Sequence, residues 1–128
     1  MLKYLRQNLF TLKGRINRKK YIIYTLITTI SFAPYLLLHY YMPNAISSNK
    51  FILTLLLIQG IIAFFIKISL QIRRFHDLGK TGMWVVLNFI MPGDSNLSTI
   101  GALSLLGYLA VFKGDVGPNK YGDDPLAN

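Results

Sequence analysis

The residues best able to do chemistry fall in three short polar stretches. These are Gly14-Arg15-Ile16-Asn17-Arg18, then Arg73-Arg74-Phe75-His76-Asp77-Leu78-Gly79-Lys80, then the glycine- and aspartate-rich run from Gly114 to Pro125. His76-Asp77 invites an enzymatic reading. A metal-dependent phosphohydrolase of the His-Asp type needs further histidines, and the only other one, His39, falls at the far end of an apolar run. A serine hydrolase needs a serine beside His76, and no G-x-S-x-G elbow occurs. The tail is not an EF-hand, since Gly122 is misplaced and the chain has no glutamate. No P-loop or G-x-G-x-x-G is present, and without cysteine there is no thiolate nucleophile or thiolate metal site. No catalytic residue, metal ligand or cofactor is therefore assigned, and His76 reads as a loop histidine in a salt-bridge network.

Arg73 and Arg74 have two chemistries open to them. Guanidinium groups bind phosphate, here lipid headgroups, or pair with carboxylates. Of the five acids, Asp77 is near in sequence and Asp115, Asp123 and Asp124 lie in the tail, while Asp94 falls in the turn chemistry at 92–96. The expectation is that the tail folds back and its carboxylates pair with these arginines and with Arg15 or Arg18.

The elements that must position these groups are apolar helices. At 128 residues the chain is one domain by length. It is 52% apolar and 15% charged, with a mean hydropathy of +0.40, against about 25% charged residues in a soluble domain. Tyr21 to Tyr41 contains no Asp, Glu, Lys or Arg, and its 21 residues match the about 20 that cross a hydrocarbon core. Pro34 is tolerable there if neighbours satisfy the freed carbonyl. A secretory signal peptide fits poorly, since the run is long and no A-x-A-like site follows. Residues 21–42 are read as span one and 51–72 as span two, with Lys67 near enough to the basic end to snorkel. Gln59 either bonds across to another helix or packs inside the bundle.

Met83 to Phe112 is harder to read: as one helix its 30 residues would run about 45 Å. Turn chemistry at 92–96 breaks it, leaving either a short interfacial helix before one full span or a two-limbed hairpin. Gly101, Ser104, Gly107 and Tyr108 share one face of the second limb, which suits close helix packing. The fold class expected is an all-α membrane protein: a small bundle of two transmembrane helices and this third region, followed by a polar tail at 113–128.

The net charge is +9, and residues 1–20 hold seven cations and no acid. This block leads straight into an apolar run with no soluble domain to present it, which argues against nucleic acid and for anionic lipid. Leu2, Leu5, Leu9 and Leu12 recur at helical spacing, as in a basic amphipathic helix lying in the headgroup layer and stopped at Gly14. The 42–50 loop has one cation, whereas 67–80 has four. The positive-inside rule then puts the N-terminus and the basic 73–80 loop in the cytoplasm. Pairing of the tail with that loop requires the tail to be cytoplasmic too, which favours the hairpin. Tyr21, Tyr24, Tyr40, Tyr41, Trp84 and Tyr108 sit near span ends, as interfacial aromatics do.

Together the polar stretches carry a resemblance. A G-R-x-x-R before the first span, an R-R-x-H-D-x-G after the second and a terminal G-x-x-G-x-N-x-Y-G-x-D-P resemble the YhaH/YhaI-like family of small bacterial inner-membrane proteins, a domain-of-unknown-function family. Phe75 stands where the family often has Leu, and Lys80-Thr81-Gly82-Met83-Trp84 where it often reads R-S-G-W-W. The resemblance implies a bacterial inner membrane and brings no activity or cofactor. It adds Asn119 and Tyr121 to a candidate polar or anion-binding cluster of Arg15, Arg18, Arg73, Arg74, His76, Asp77 and Asp124. The function expected is that of a non-enzymatic accessory or scaffold protein in contact with anionic lipid, with a homo-oligomer or another membrane protein as further partner. An oligomeric small-solute or ion transporter is the alternative, and an enzyme acting on a lipid or phosphate at the membrane surface the third reading.

Overall fold

A computed structural model describes residues 11–42, 44, 49–90 and 96–127. The amphipathic helix read at 2–13 lies outside these residues apart from 11–13, as does most of the break read at 92–96. Every described element is helical: α1 (Arg18–Ile30), α2 (Ala33–Tyr41), α3 (Lys50–Asp77), a 3₁₀ turn (Gly82–Val86), α4 (Leu87–Ile90) and α5 (Asn96–Val111).

Asn17 starts α1 by accepting from the Lys20 amide at 2.9 Å. The helix breaks after Ile30 because Pro34 has no N–H to give the Ile30 carbonyl. At the break the amides of Tyr35 and Leu36 both turn to the Phe32 carbonyl. That leaves the Ser31 carbonyl without the donor a regular helix would give it. Gln59, from α3, supplies one: its Nε2 donates to the Ser31 carbonyl at 2.8 Å and to Ser31 Oγ at 3.0 Å. The glutamine thus bonds across helices and completes the proline kink. Gln59→Leu is expected to lower stability in detergent by about 0.6–1.7 kcal/mol, the range for interhelical hydrogen bonds in a bilayer. A melting curve equal to wild type would show that the kink needs no such donor.

Among the described residues, Arg18–Tyr41 and Lys50–Asp77 are the two segments long and apolar enough to cross a membrane. Only 11% and 6% of their most apolar windows are buried, whereas the core helix of a soluble domain is mostly buried. Leu26, Ile27, Leu36, Leu57 and Phe65 are all exposed, as large apolar side chains facing lipid are. The packed core is small and sits at one end. Ile16, Tyr21, Leu70, Phe75 and Leu109 form it, flanked by Tyr24, Ile66, Leu78, Leu105 and Tyr108.

One boundary differs from the sequence reading. Residues 73–77, expected in a basic loop, continue α3 to Asp77, because both arginines and the aspartate are buried against other segments. The third apolar region begins and ends at the same end of α3. Gly82 is pressed against Ile72 and His76, and Arg74 donates to the carbonyls of Leu109 and Phe112. Between these points α5 contributes 16 residues, or about 24 Å of helix, less than a hydrocarbon core of about 30 Å.

Candidate functional site

The end of α3 carries Arg73, Arg74, His76 and Asp77, all within a turn and a half. Three further segments close over them: residues 14–17, the C-terminal end of α5, and the tail. The incoming segment is fixed by the Ile16 amide, which donates to the Arg73 carbonyl at 3.3 Å. The tail is fixed by the Asp115 amide, which donates to the Asp77 carbonyl at 2.7 Å.

Asp77 is the centre. Its Oδ1 accepts from Arg15 at 3.1 Å, and its Oδ2 accepts from Arg74 Nη1. Arg74 is fully buried and Asp77 is 3% exposed. The rest of the Arg74 guanidinium donates to backbone carbonyls: Leu109 at 2.7 Å, Ile16 at 3.4 Å, and Phe112. The last carbonyls of an α-helix lack intrahelical donors, so Arg74 caps α5 while pairing with Asp77. Arg15 is spent similarly, on Asp77 and on the tail carbonyls of Asp115 at 2.5 Å, Gly117 at 2.6 Å and Gly122 at 3.4 Å. Arg73 is buried as well and donates to the Arg15 carbonyl at 3.3 Å.

His76 lies beside this pair. Its Nδ1 is 3.2 Å from the Gly14 carbonyl, an acceptor only, so Nδ1 carries the proton in that bond. The Tyr121 ring lies flat on the imidazole, with centroids 3.9 Å apart and an interplanar angle of 5°. A tight turn aims Tyr121: Asn119 and Gly122 exchange amide hydrogen bonds of 3.0 Å each, and Asn119 Oδ1 accepts from the Tyr121 amide at 2.9 Å. Asn119 Nδ2 then donates to the His76 carbonyl at 3.0 Å and to Asp115 Oδ2 at 3.1 Å. Asp124 accepts at 2.9 Å from the amides of Gly117 and Leu126. Those two N–H groups hold its carboxyl below the usual carboxylate range.

Eight of the nine candidate residues therefore meet in one assembly: Arg15, Arg73, Arg74, His76, Asp77, Asn119, Tyr121 and Asp124. Arg18 does not join it. Its side chain is exposed and makes no ion pair among the described residues. The mode of pairing also departs from expectation. The arginines were to pair with tail carboxylates, yet the tail offers them backbone carbonyls, and Asp124 is used on its own loop. A planar guanidinium with five donors suits several converging carbonyls better than one more carboxylate. Sequence reasoning missed Gly114, where a Cβ would overlap the Asp77 carboxylate, and Gly79, where it would meet Asp115 Oδ2 at 2.6 Å. The available signal was that both glycines are fixed positions of the motifs R-R-x-H-D-x-G and G-x-x-G-x-N-x-Y-G-x-D-P.

Outward-facing apolar helices fastened at one end by a buried arginine–aspartate pair define a small all-helical membrane protein. By sequence comparison the chain belongs to the family described as "Protein of unknown function (DUF805)", which matches residues 9–123. It is 32% identical to "Inner membrane protein YhaI" of Escherichia coli K12 over 124 residues, covering 93% of this chain and 89% of that protein. The protein of the same name from Escherichia coli O157:H7 matches to the same extent. No solved structure matches.

Proposed function

We propose that this is a non-enzymatic accessory or scaffold protein of the bacterial inner membrane, whose cytoplasmic cap is locked internally and rests on anionic lipid. The observation that carries this reading is how Arg15 and Arg74 are used. Their donors go to Asp77 and to carbonyls of the first segment, α5 and the tail. A group so committed holds segments together and has little left for a substrate. Around the lock, Lys13, Arg18, Lys19, Lys20, Lys80, Lys113 and Lys120 are exposed. Each is worth about 1 kcal/mol near an anionic surface. With the cap cytoplasmic, α1–α2 and α3 cross the bilayer, and the third apolar region, both ends of which meet α3 at the cap, starts and finishes on the cytoplasmic side. The C-terminus is then cytoplasmic, and association with further copies or with another membrane protein would use the apolar faces left open.

One reconstitution experiment with two readouts tests this. The protein in vesicles containing anionic phospholipid should melt higher than in purely zwitterionic vesicles, and high salt should erase the difference. A reporter fused after Asn128 should be active on the cytoplasmic side. Equal melting in both lipids, or an external reporter, overturns the reading, and solute or ion flux through the vesicles would replace it with transport.

A further inference from the structure

The lock also forms part of the lining of a second polar feature. A cavity of about 160 Å³ opens between the start of α1 and the segment after α5. It is lined by Arg18, Lys19, Lys113 and Arg74, by Asp77, Asp115 and Asp124, and by Leu126. It is smaller than the about 300–1,000 Å³ of sites that enclose a whole drug-sized ligand. One headgroup-sized polar group suits it better.

The lining carries four cations, Arg18, Lys19, Lys113 and Arg74, against three carboxylates, Asp77, Asp115 and Asp124. Asp77 is held by Arg74 and, from behind, by Arg15. Asp115 and Asp124 keep their negative charge, and Lys113 acts on Asp124, but their oxygens are turned to Asn119 and to the amides of Gly117 and Leu126. Arg18, Lys19 and Lys113 are exposed and make no ion pair among the described residues. These three cations come from chain segments 94 residues apart, and the fold brings them to one wall-lined hollow. The anion that several converging cationic donors suit is a phosphate. Its position is at the end of the apolar helices, with the exposed Leu126 in its lining, where an acyl-bearing ligand would lie beside carbon.

We propose that this cavity binds a single phosphate group, carried by a phospholipid headgroup, between Arg18, Lys19 and Lys113. The inference rests on the membrane reading above and goes beyond it. A diffuse basic rim attracts any anionic surface without saturating, whereas a cavity of this size takes one headgroup and saturates.

The full-length chain in a neutral detergent is titrated with short-chain phosphatidylglycerol while its melting is followed. A saturable rise is expected, with none from the matching diacylglycerol that lacks phosphate. Lys113→Gln should weaken the apparent affinity about tenfold or more, the loss expected for one charge-assisted contact. Arg18→Gln/Lys19→Gln should do at least as much. Lys80→Gln, which neutralises an exposed cation lining a different, apolar hollow with Phe75 and Trp84, should leave the titration unchanged. Inorganic phosphate gives a second arm. If it alone produces the full Lys113-dependent shift, the site stands and its ligand is free phosphate. If only the lipid does so, the headgroup assignment stands. A shift that persists in Lys113→Gln and in Arg18→Gln/Lys19→Gln, or that diacylglycerol reproduces, overturns the cavity. In that case a surviving preference for anionic vesicles keeps the membrane reading; loss of that preference in the wild type removes both.

Discussion

Asp77→Ala should leave little or no folded protein, the largest effect expected of any single substitution at the cap. Asp77 is the sole carboxylate in the ion pairs among the described residues, and it serves both Arg15 and Arg74. Their side chains are 1% and 0% exposed, so solvent cannot take over its role. Removing one partner of a buried pair costs about 3–5 kcal/mol because a charge is left uncompensated, and here two guanidinium groups lose the same counter-charge. The total stability of a domain is about 5–15 kcal/mol, and a small core like this one gives no reason to expect the upper end. Asp77→Asn should be milder, since the amide oxygen still accepts from one arginine, yet it too removes the charge. Asp123→Ala is the control: Asp123 is exposed and forms no ion pair among the described residues, so a change within about 0.5 kcal/mol is expected. Accumulation in membranes and melting in detergent read all three. An Asp77→Ala protein that accumulates and melts like the Asp123→Ala control would mean that the arginines are held by backbone carbonyls alone.

The same cluster shows what the sequence could and could not disclose. The two long apolar helices were legible because apolar runs of the right length, one uncharged and one with only Lys67, have few alternatives. Pro34 was legible as tolerable there, whereas the break it makes was not. Arg15, Arg74 and Asp77 were legible as a group, since cations and an acid in a chain with so few acids must be accounted for. Their pairing was not. Arginine's other partners are the carbonyls of Ile16, Leu109, Phe112, Asp115, Gly117 and Gly122, and every residue owns a carbonyl, so side-chain type carries no signal there. For the same reason the reading stopped α3 too early. Arg73 and Arg74 look like the start of an aqueous loop until their partners are known, and only then can they be buried in a helix. Gln59 falls between these cases. A lone amide in an apolar run signals a hydrogen bond, but the Ser31 carbonyl that receives it becomes available only through the geometry of the kink.

Gly114→Ala should be nearly as damaging as the loss of Asp77, although it adds one methyl group to an otherwise accommodating tail. A Cβ at Gly114 would overlap Asp77 Oδ2 and lie 2.5 Å from Cγ and 2.9 Å from Oδ1. Neither side can yield. Asp77 is held by two arginines, while the Gly114 backbone is pinned from before by the Phe112 carbonyl on Arg74 and from after by the Asp115 amide on the Asp77 carbonyl. Overpacking alone costs about 1–3 kcal/mol; forcing the carboxylate off its arginines raises this toward the 3–5 kcal/mol of a broken buried pair. Two other glycines separate space from conformation. Gly117 has open space for a Cβ but a φ of +78°, so Gly117→Ala should lose only the about 1–2 kcal/mol of a left-handed alanine. Gly107 lies inside α5 with nothing within 4 Å, and alanine there should be neutral or stabilising by up to about 1 kcal/mol. Melting temperatures in one detergent should therefore fall in the order Gly107→Ala, Gly117→Ala, Gly114→Ala. If Gly114→Ala instead melts with Gly107→Ala, the tail does not pass against Asp77. The lock would then be Arg15, Arg74 and Asp77 without the segment that closes it.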